Sequence, residues 1–244
     1  METIRVHSIE SFGTHDGPGI RMVVFLQGCN LQCIYCHNAD TIPLQGGTDI
    51  SSHEIVSQAI RLKPYFGTQG GVTFSGGEPL VQAKQLIPAI EKLHVHNIHV
   101  AIDTNGTIQN SFTKEILQHH ADLVLFDIKA LDAEHFKSIT THTLFEAHIE
   151  SIRMREQACK PYWIRYVVVP GYTDAPHYIE ALCNFVQPLK YVEKLQLLPY
   201  HSHGNHKWEL MNMQYTLYDV EAPVEAYMQK VCNILSQFCR VEIG

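Results

Sequence analysis

The chain has 244 residues, of which 45% are hydrophobic, so it can bury a full core, and we expect a single domain over residues 1–244. Its 18 Lys and Arg residues against 25 Asp and Glu residues give a formal charge of -7, and the basic residues are scattered, which excludes a basic nucleic-acid-binding surface. No apolar run approaches the roughly 20 residues that cross a bilayer, and the first residues lack an export signal, so we expect a cytoplasmic protein without membrane contact.

Short β-branched runs alternate with segments of helical periodicity, which is the pattern of repeated βα units around a parallel sheet. Strands are predicted, in chain order, at residues 20–27, 71–75, 98–102, 123–128, 162–169 and 194–199. Helices are predicted at residues 51–62, 80–94, 111–119, 132–138, 144–158, 175–186 and 223–239, and Pro88 is a candidate kink in the second of them. Six βα units indicate an α/β fold of the partial (β/α)6 TIM-type barrel class, open on one side.

Unusual residues follow each predicted strand. The first strand is followed by a cysteine cluster, and the later ones end at or lead into the segments SGGEP (75–79), DTNG (103–106), DIK (127–129), VVPG (168–171) and PYHSHG (199–204). Parallel α/β proteins place their active sites at the carboxyl ends of their strands. We therefore expect these segments to converge on one face.

The cysteine cluster CNLQCIYCHN, residues 29–38, is compatible with three kinds of site. Its CIYCH string matches c-type haem attachment, but that chemistry is normally extracytoplasmic. A closed structural zinc site needs four ligands, and His37 or a distant residue is the only obvious fourth. Three thiolates in one tight loop, Cys29, Cys33 and Cys36, suit a 4Fe-4S cluster better, and they would leave one iron open.

The other loops indicate what an open iron could bind. Gly76 and Gly77 let backbone come close to a small ligand, and Glu78 brings acceptor oxygens for an amino group. Lys129 offers a cation for a carboxylate or ribose, and Tyr35 and His201 can lie against a flat ring. An amino group, a carboxylate, a ribose and a base together describe S-adenosylmethionine.

These motifs carry a resemblance to a known family. Cys-x3-Cys-x2-Cys with an aromatic before the last cysteine, followed by Gly-Gly-Glu after the next strand, resembles the radical S-adenosylmethionine enzymes. A closer similarity, to the glycyl-radical enzyme activases of the pyruvate formate-lyase type, is carried by GTHDGPGIR (13–21), QGCNLQCIYCHN (27–38), IDTNG (102–106), WIRYVVVPG (163–171) and LLPYHSHGNHKW (197–208). Residues 37–75 contain no cysteine, so we expect one cluster and no ferredoxin-like insertion.

The resemblance implies a role for particular residues. The 4Fe-4S cluster would be held by Cys29, Cys33 and Cys36. The residues implied to bind S-adenosylmethionine are Tyr35, Cys36, His37, Gly76, Gly77, Glu78, Asp103, Asp127, Ile128, Lys129 and His201. A monovalent cation would map to Asp103, Thr104 and Asp127, and a partner peptide to Asp16, Arg21 and Arg165.

By the same resemblance, the reduced cluster cleaves S-adenosylmethionine to a 5'-deoxyadenosyl radical, which takes a hydrogen atom from a glycine of pyruvate formate-lyase. No side chain of this chain need act as acid or base. The implied reductant is flavodoxin or ferredoxin, and we expect a monomer. Two other functions stay open: a radical enzyme that acts on another glycyl-radical enzyme or on a small molecule, and a zinc-binding module built on the cysteine loop.

Overall fold

The predicted parallel strands form the centre of one sheet. The structure, a computed structural model, describes residues 3–244. Over that range the strands are β1 (Thr3–Gly13), β2 (Arg21–Leu26), β3 (Thr48–Ser51), β4 (Gly71–Gly76), β5 (His99–Thr104), β6 (Leu123–Ile128), β7 (Tyr162–Val168), β8 (Val192–Pro199) and β9 (Val241–Ile243). Their order in the sheet is β3-β1-β2-β4-β5-β6-β7-β8-β9.

The six predicted strands are confirmed as β2 and β4 to β8, and each pairs in parallel with the next. The outermost strands of the described sheet, β3 and β9, do not pair with each other, so the sheet stays open. This arrangement confirms the partial barrel. Residues 1 and 2, which the single-domain prediction includes, lie outside the described residues.

Three strands were not predicted from the sequence. β1 pairs antiparallel with β2 and with β3, and β9 adds a short parallel strand beside β8. β1 buries Ile4 and Val6 but is half-exposed beyond them, so its apolar pattern is weak. β3 and β9 are only four and three residues long, which is too short to carry a periodic signal.

The helices follow the strands as predicted, with one addition. They are α1 (Ser52–Leu62), α2 (Ala83–Val95), α3 (Ser111–Glu115), α4 (Ala133–Thr140), α5 (Phe145–Gln157), α6 (Pro176–Val186), α7 (Asn205–Leu210) and α8 (Glu225–Leu235). α2 continues through Pro88, α3 is extended by a π-helical turn at Ile116–His120, and α7 is the helix that was not predicted. Within residues 3–244, none of the helices has the length and apolar character needed to cross a membrane.

Successive residues of each strand point to opposite faces of the sheet. The outward residues, such as Phe74, Ile102 and Phe126, pack into the main core with the helices. The inward face has two layers. We call Ala101, Leu123, Leu125 and Trp163, which form a separate apolar cluster, the lower layer. We call Asp103, Asp127 and Arg165, two residues further along the same strands, the upper layer.

Candidate active site

A cavity of about 490 Å³ opens at the carboxyl ends of the parallel strands, where the sequence places the unusual residues. Its walls come from the loops after β1, β2, β4, β5, β6 and β8 and from the inward face of β7. Most of the predicted site residues line it: Asp16, Cys29, Cys33, Tyr35, Cys36, His37, Gly76, Gly77, Asp103, Thr104, Asp127, Lys129, Arg165 and His201. The expected convergence on one face is therefore present for the other segments, but no residue of VVPG (168–171) lines the cavity.

The cysteine loop leaves β2 through Gly28, whose φ of 101° favours glycine. The amides of Gly28 and Cys29 donate to the carbonyls of Thr41 and Ile42 at 2.8 and 3.0 Å, which fixes the start of the loop. Its end is fixed by α7, because the Trp208 indole N–H donates to the Cys36 carbonyl at 2.8 Å. The three thiols thus stand on a loop anchored at both ends.

Cys29, Cys33 and Cys36 are free thiols that face the same cavity. Burial raises the pKa of each thiol, that of Cys36 to about 12. The thiolates that iron requires are therefore unfavourable unless a positive group is bound beside them. Three soft donors on one loop are a suitable set for three irons of a 4Fe-4S cluster.

The two glycines after β4 let the backbones of two loops touch. A Cβ on Gly77 would lie 2.3 Å from the Gly28 carbonyl oxygen, and one on Gly76 would lie 2.4 Å from the Leu26 nitrogen. The Gly77 amide donates to the Leu26 carbonyl at 2.9 Å. The Gly-Gly pair therefore joins the β4 loop to the cysteine loop and leaves a side-chain-free strip on the cavity wall.

The upper layer is a set of buried charges in direct contact. Arg165 contacts Asp103 at 2.8 Å and lies 3.7 Å from Asp127, which in turn contacts Lys129 at 3.0 Å. Burial raises the pKa of Asp103 to about 6, although Arg165 opposes this change. Burial acts in the same sense on Asp127, but Lys129 and Arg165 outweigh it and lower its pKa. Burial likewise raises the pKa of Asp16, which faces this group.

Aromatic side chains form the outer rim of the cavity. The rings of His37 and His201 stack with centroids 3.8 Å apart, and the His37 Nε2–H donates to the His201 carbonyl at 2.7 Å. Burial lowers the pKa of His37 to about 4, so the ring is neutral near pH 7. Tyr35 is buried beneath Lys129, whose Nζ lies 5.6 Å from the ring centroid. A flat base could be held at this rim.

Comparison with known proteins identifies the family. A sequence profile of the Radical SAM superfamily matches residues 23–186, about two thirds of the chain. The pyruvate formate-lyase-activating enzyme of Clostridium pasteurianum is 45% identical over 236 residues, which are 96% of this chain and 97% of that protein. The chain belongs to the pyruvate formate-lyase-activating enzyme family of radical SAM proteins. The relative of the same name from Staphylococcus aureus strain USA300 is 42% identical over 229 residues, or 89% of each chain.

A solved structure of the family agrees with the fold. The crystal structure of a domain of the pyruvate-formate lyase-activating enzyme from Bacteroides vulgatus is similar with a TM-score of 0.58 and 26% identity. The match covers 72% of this chain and 99% of that one.

Arg21 does not lie where the family resemblance suggested. The sequence analysis assigned it to a partner peptide, but its side chain is fully buried at the start of β2, away from the cavity. Its guanidinium donates to the Thr73 hydroxyl at 2.5 Å and to the Val72 carbonyl at 2.7 Å. A further bond to the Pro18 carbonyl at 3.1 Å fixes the preceding loop. The guanidinium is therefore occupied inside the scaffold and does not face a peptide at the cavity in this structure.

Glu78 and Ile128 also differ from their expected places. The Glu78 carboxylate is fully buried outside the cavity lining, and it accepts from the Leu80 amide at 2.9 Å and from the Thr104 hydroxyl and the Asn105 amide at 2.7 Å each. Burial raises its pKa to about 7, although these donors oppose the rise. In this structure its oxygens join the loops after β4 and β5. The Ile128 side chain packs in the main core, so only its backbone could reach a cofactor.

Two residues of the site were missed from the sequence. Asn105 lines the cavity beside Cys29, and Trp208 anchors Cys36 from the far end of the chain. Both stand inside quoted motifs, DTNG and HGNHKW, but the motifs alone do not say which side chain faces the cysteine loop.

Proposed function

We propose that this chain is the activase of pyruvate formate-lyase, and that it makes a glycyl radical on that enzyme. The observation that carries the proposal is the convergence of the three thiols, the Gly76-Gly77 strip and the upper layer on one cavity, in a chain 45% identical to an enzyme of that name. The soft donor set fits iron, and the cavity is large enough for a small-molecule ligand.

In this proposal Cys29, Cys33 and Cys36 hold a single 4Fe-4S cluster, and its fourth iron is free of protein ligands. When bound, the cluster and S-adenosylmethionine supply a one-electron cleavage whose deoxyadenosyl product removes a hydrogen atom from the target glycine. The chain itself contributes position, charge and the exclusion of water. The cysteine loop is anchored at both ends and would hold the cluster beside the Gly76-Gly77 strip.

Different parts of the cavity wall would contact different parts of S-adenosylmethionine. Gly76, Gly77, Asp127 and Lys129 line the cavity. In this proposal the backbone of the two glycines would face the methionine amino group, and Lys129 and Asp127 would contact the carboxylate and the ribose. Tyr35, His37 and His201, together with the backbone of Cys36, form the rim for adenine. Lys129 would exchange part of its contact with Asp127 for the bound carboxylate.

A monovalent cation would fit between Asp103, Thr104 and Asp127. Asp103 Oδ1 is buried and has no hydrogen-bond partner among the described residues 3–244. Asp103 Oδ2 accepts from Ser75 and Arg165. A buried carboxylate oxygen without a partner costs free energy, which a bound cation would recover.

The partner peptide would enter beside Asp16, which lines the cavity. Arg165 also lines it, but its guanidinium already contacts Asp103 and Asp127, so it would reach the peptide only after one of these contacts loosens. Flavodoxin or ferredoxin as reductant, a monomeric state, a single domain and a cytoplasmic location complete the proposal as predictions from the sequence.

The test is to incubate anaerobically reconstituted, reduced protein with S-adenosylmethionine and pyruvate formate-lyase. We expect a glycine-centred radical in the electron paramagnetic resonance spectrum and stoichiometric 5'-deoxyadenosine, both of which require the partner. Turnover of S-adenosylmethionine without a protein substrate, or activation of a different glycyl-radical enzyme alone, would favour the alternative radical enzymes. Stoichiometric zinc without iron would favour the zinc-binding module.

A further inference from the structure

Asn105 presents its side chain to the sulfur of the first cysteine. It is the third residue of the DTNG segment, follows β5, and is nearly buried at 7% exposure. Its Nδ2 lies 3.9 Å from Cys29 Sγ and 3.2 Å from Asn30 Oδ1. The two N–H groups of the carboxamide therefore point at the cysteine loop.

The orientation of this carboxamide is fixed by Thr107. The Thr107 backbone N–H donates to Asn105 Oδ1 at 2.9 Å, and its hydroxyl lies 2.5 Å from the same atom. A backbone N–H must face an oxygen, so the flipped carboxamide, with its nitrogen at Thr107, is excluded. The nitrogen is thereby directed at Cys29.

The backbone of Asn105 is held as tightly as its side chain. Its amide donates to Glu78 Oε2 at 2.7 Å, and its carbonyl accepts from the buried ring of His148 at 2.7 Å. With two hydrogen bonds on its backbone and two on its side-chain oxygen, Asn105 loses little entropy when its Nδ2 makes one more contact. Cys29 Sγ also accepts a hydrogen bond from the Leu31 backbone N–H at 3.4 Å. That donor belongs to the cysteine loop itself, and any residue except proline at position 31 would supply it.

We infer that Asn105 is a positioning residue that sets the reduction potential of the iron-sulfur cluster through its N–H donor to Cys29 Sγ. This inference rests on the proposed function, which places the cluster on that sulfur. Reduction adds negative charge to the cluster and its thiolates, so a donor at the sulfur stabilises the reduced form more than the oxidised form. Asn105 therefore makes the cluster easier to reduce.

The test uses the full chain with its cluster reconstituted and without S-adenosylmethionine. Asn105→Asp keeps the shape and the oxygen that Thr107 needs but removes the donor, and Asn105→Ala removes the donor without adding charge. The matched control is Asn30→Asp, which adds the same charge beside Cys29 and leaves the Asn105 donor in place. The reduced-to-oxidised ratio is followed by electron paramagnetic resonance at the midpoint potential of the unmodified protein.

We expect this ratio to fall roughly three- to tenfold in both Asn105 variants, where tenfold corresponds to about 59 mV for one electron. The fall in Asn105→Asp should exceed that in Asn30→Asp. The inference is overturned if Asn105→Asp shifts the ratio no further than Asn30→Asp, or if a cluster-loaded Asn105→Ala titrates like the unmodified protein. Should Asn105→Ala fail to fold, the comparison of the two aspartate variants decides alone.

A failure of the cluster assignment, the part of the proposed function on which this inference rests, gives a different result. In that case the unmodified protein would bind no iron and sulfide, and no cluster potential would exist to compare. If the unmodified protein carries a reducible cluster and the variants match it, only the role of Asn105 is lost.

Discussion

The lower and upper layers of the barrel interior differ in chemistry although they share the same strands. Ala101, Leu125 and Trp163 of the lower layer are apolar, whereas the residues two positions later, Asp103, Asp127 and Arg165, are charged. Because side chains alternate along a strand, these pairs point the same way and differ only in depth. Burial of the apolar lower layer stabilises the fold, whereas the charged side chains of the upper layer line the cavity in which a ligand would bind.

The largest expected effect comes from a ligand cysteine. Cys33→Ser removes one of the three thiols that face the cavity, so we expect it to lose the iron-sulfur cluster and all activating activity while the apoprotein still folds. Cys183→Ser is the matched control, since Cys183 is a buried thiol in the main core and does not line the cavity. Iron and sulfide analysis compares the two, and full iron content in Cys33→Ser would contradict the assignment.

A change in the lower layer should affect stability and spare the chemistry. Trp163 is buried, and its indole N–H donates to the Glu193 carboxylate. The Lys194 Nζ lies 3.8 Å from the centroid of its ring. Trp163→Ala should lower the free energy of unfolding of the apoprotein by about 3–5 kcal/mol. Urea denaturation measures this value, with Val95→Ala, at an exposed position, as the control. A Trp163→Ala protein of unchanged stability would remove the distinction between the two layers.

Low pH should lower the free energy of unfolding through the buried residue His148. Burial lowers the pKa of His148 to about 4, although the hydrogen bond that its ring donates to the Asn105 carbonyl opposes this change. The unfolded chain takes up this proton below about pH 6.5, so stability is lost as the pH falls from about 6.5 towards 4, by at most about 3 kcal/mol.

His148→Gln keeps a donor but does not titrate, so its unfolding free energy should decline less over the same range. Urea titrations of the apoprotein at several pH values measure the difference. Parallel declines in both proteins would contradict the assigned role of His148.

The smallest effects concern S-adenosylmethionine. Lys129→Ala should weaken its binding about 10- to 100-fold, because a charged hydrogen bond contributes about 1.5–3 kcal/mol. His201→Ala should weaken it only a few-fold, since one aromatic contact is worth about 0.5–1.5 kcal/mol. Equilibrium binding to the cluster-loaded protein measures both, and iron content verifies that the site is intact. Loss of iron in either variant would assign that side chain a structural role instead.

The sequence predicted the centre of this fold because strands buried on both faces are written as continuous apolar runs, such as LVLFDI in β6. It missed β1, in which no residue between Val6 and Gly13 is buried and most are polar. The set of residues at the cavity was largely predictable, since most of them lie near the end of a predicted strand or in the loop after it.

The partners of individual side chains were not predictable. Arg21 bonds to Thr73, 52 positions away, and Glu78 bonds to Thr104 and Asn105 in the next loop. Such contacts depend on the register between strands and on loop conformation, which a motif does not encode. Arg21 and Glu78 are charged and lie within the motifs, so the sequence predicted that they contact a ligand. In the structure their side chains bond to other parts of the chain.

The central claim is that the cysteine loop carries a cluster with an iron open to S-adenosylmethionine. The most direct test is electron paramagnetic resonance of anaerobically reconstituted, reduced protein with and without that cofactor. The account predicts a 4Fe-4S signal of the one-electron-reduced state whose shape changes when S-adenosylmethionine is added. A silent sample, or a signal insensitive to the cofactor, would contradict it.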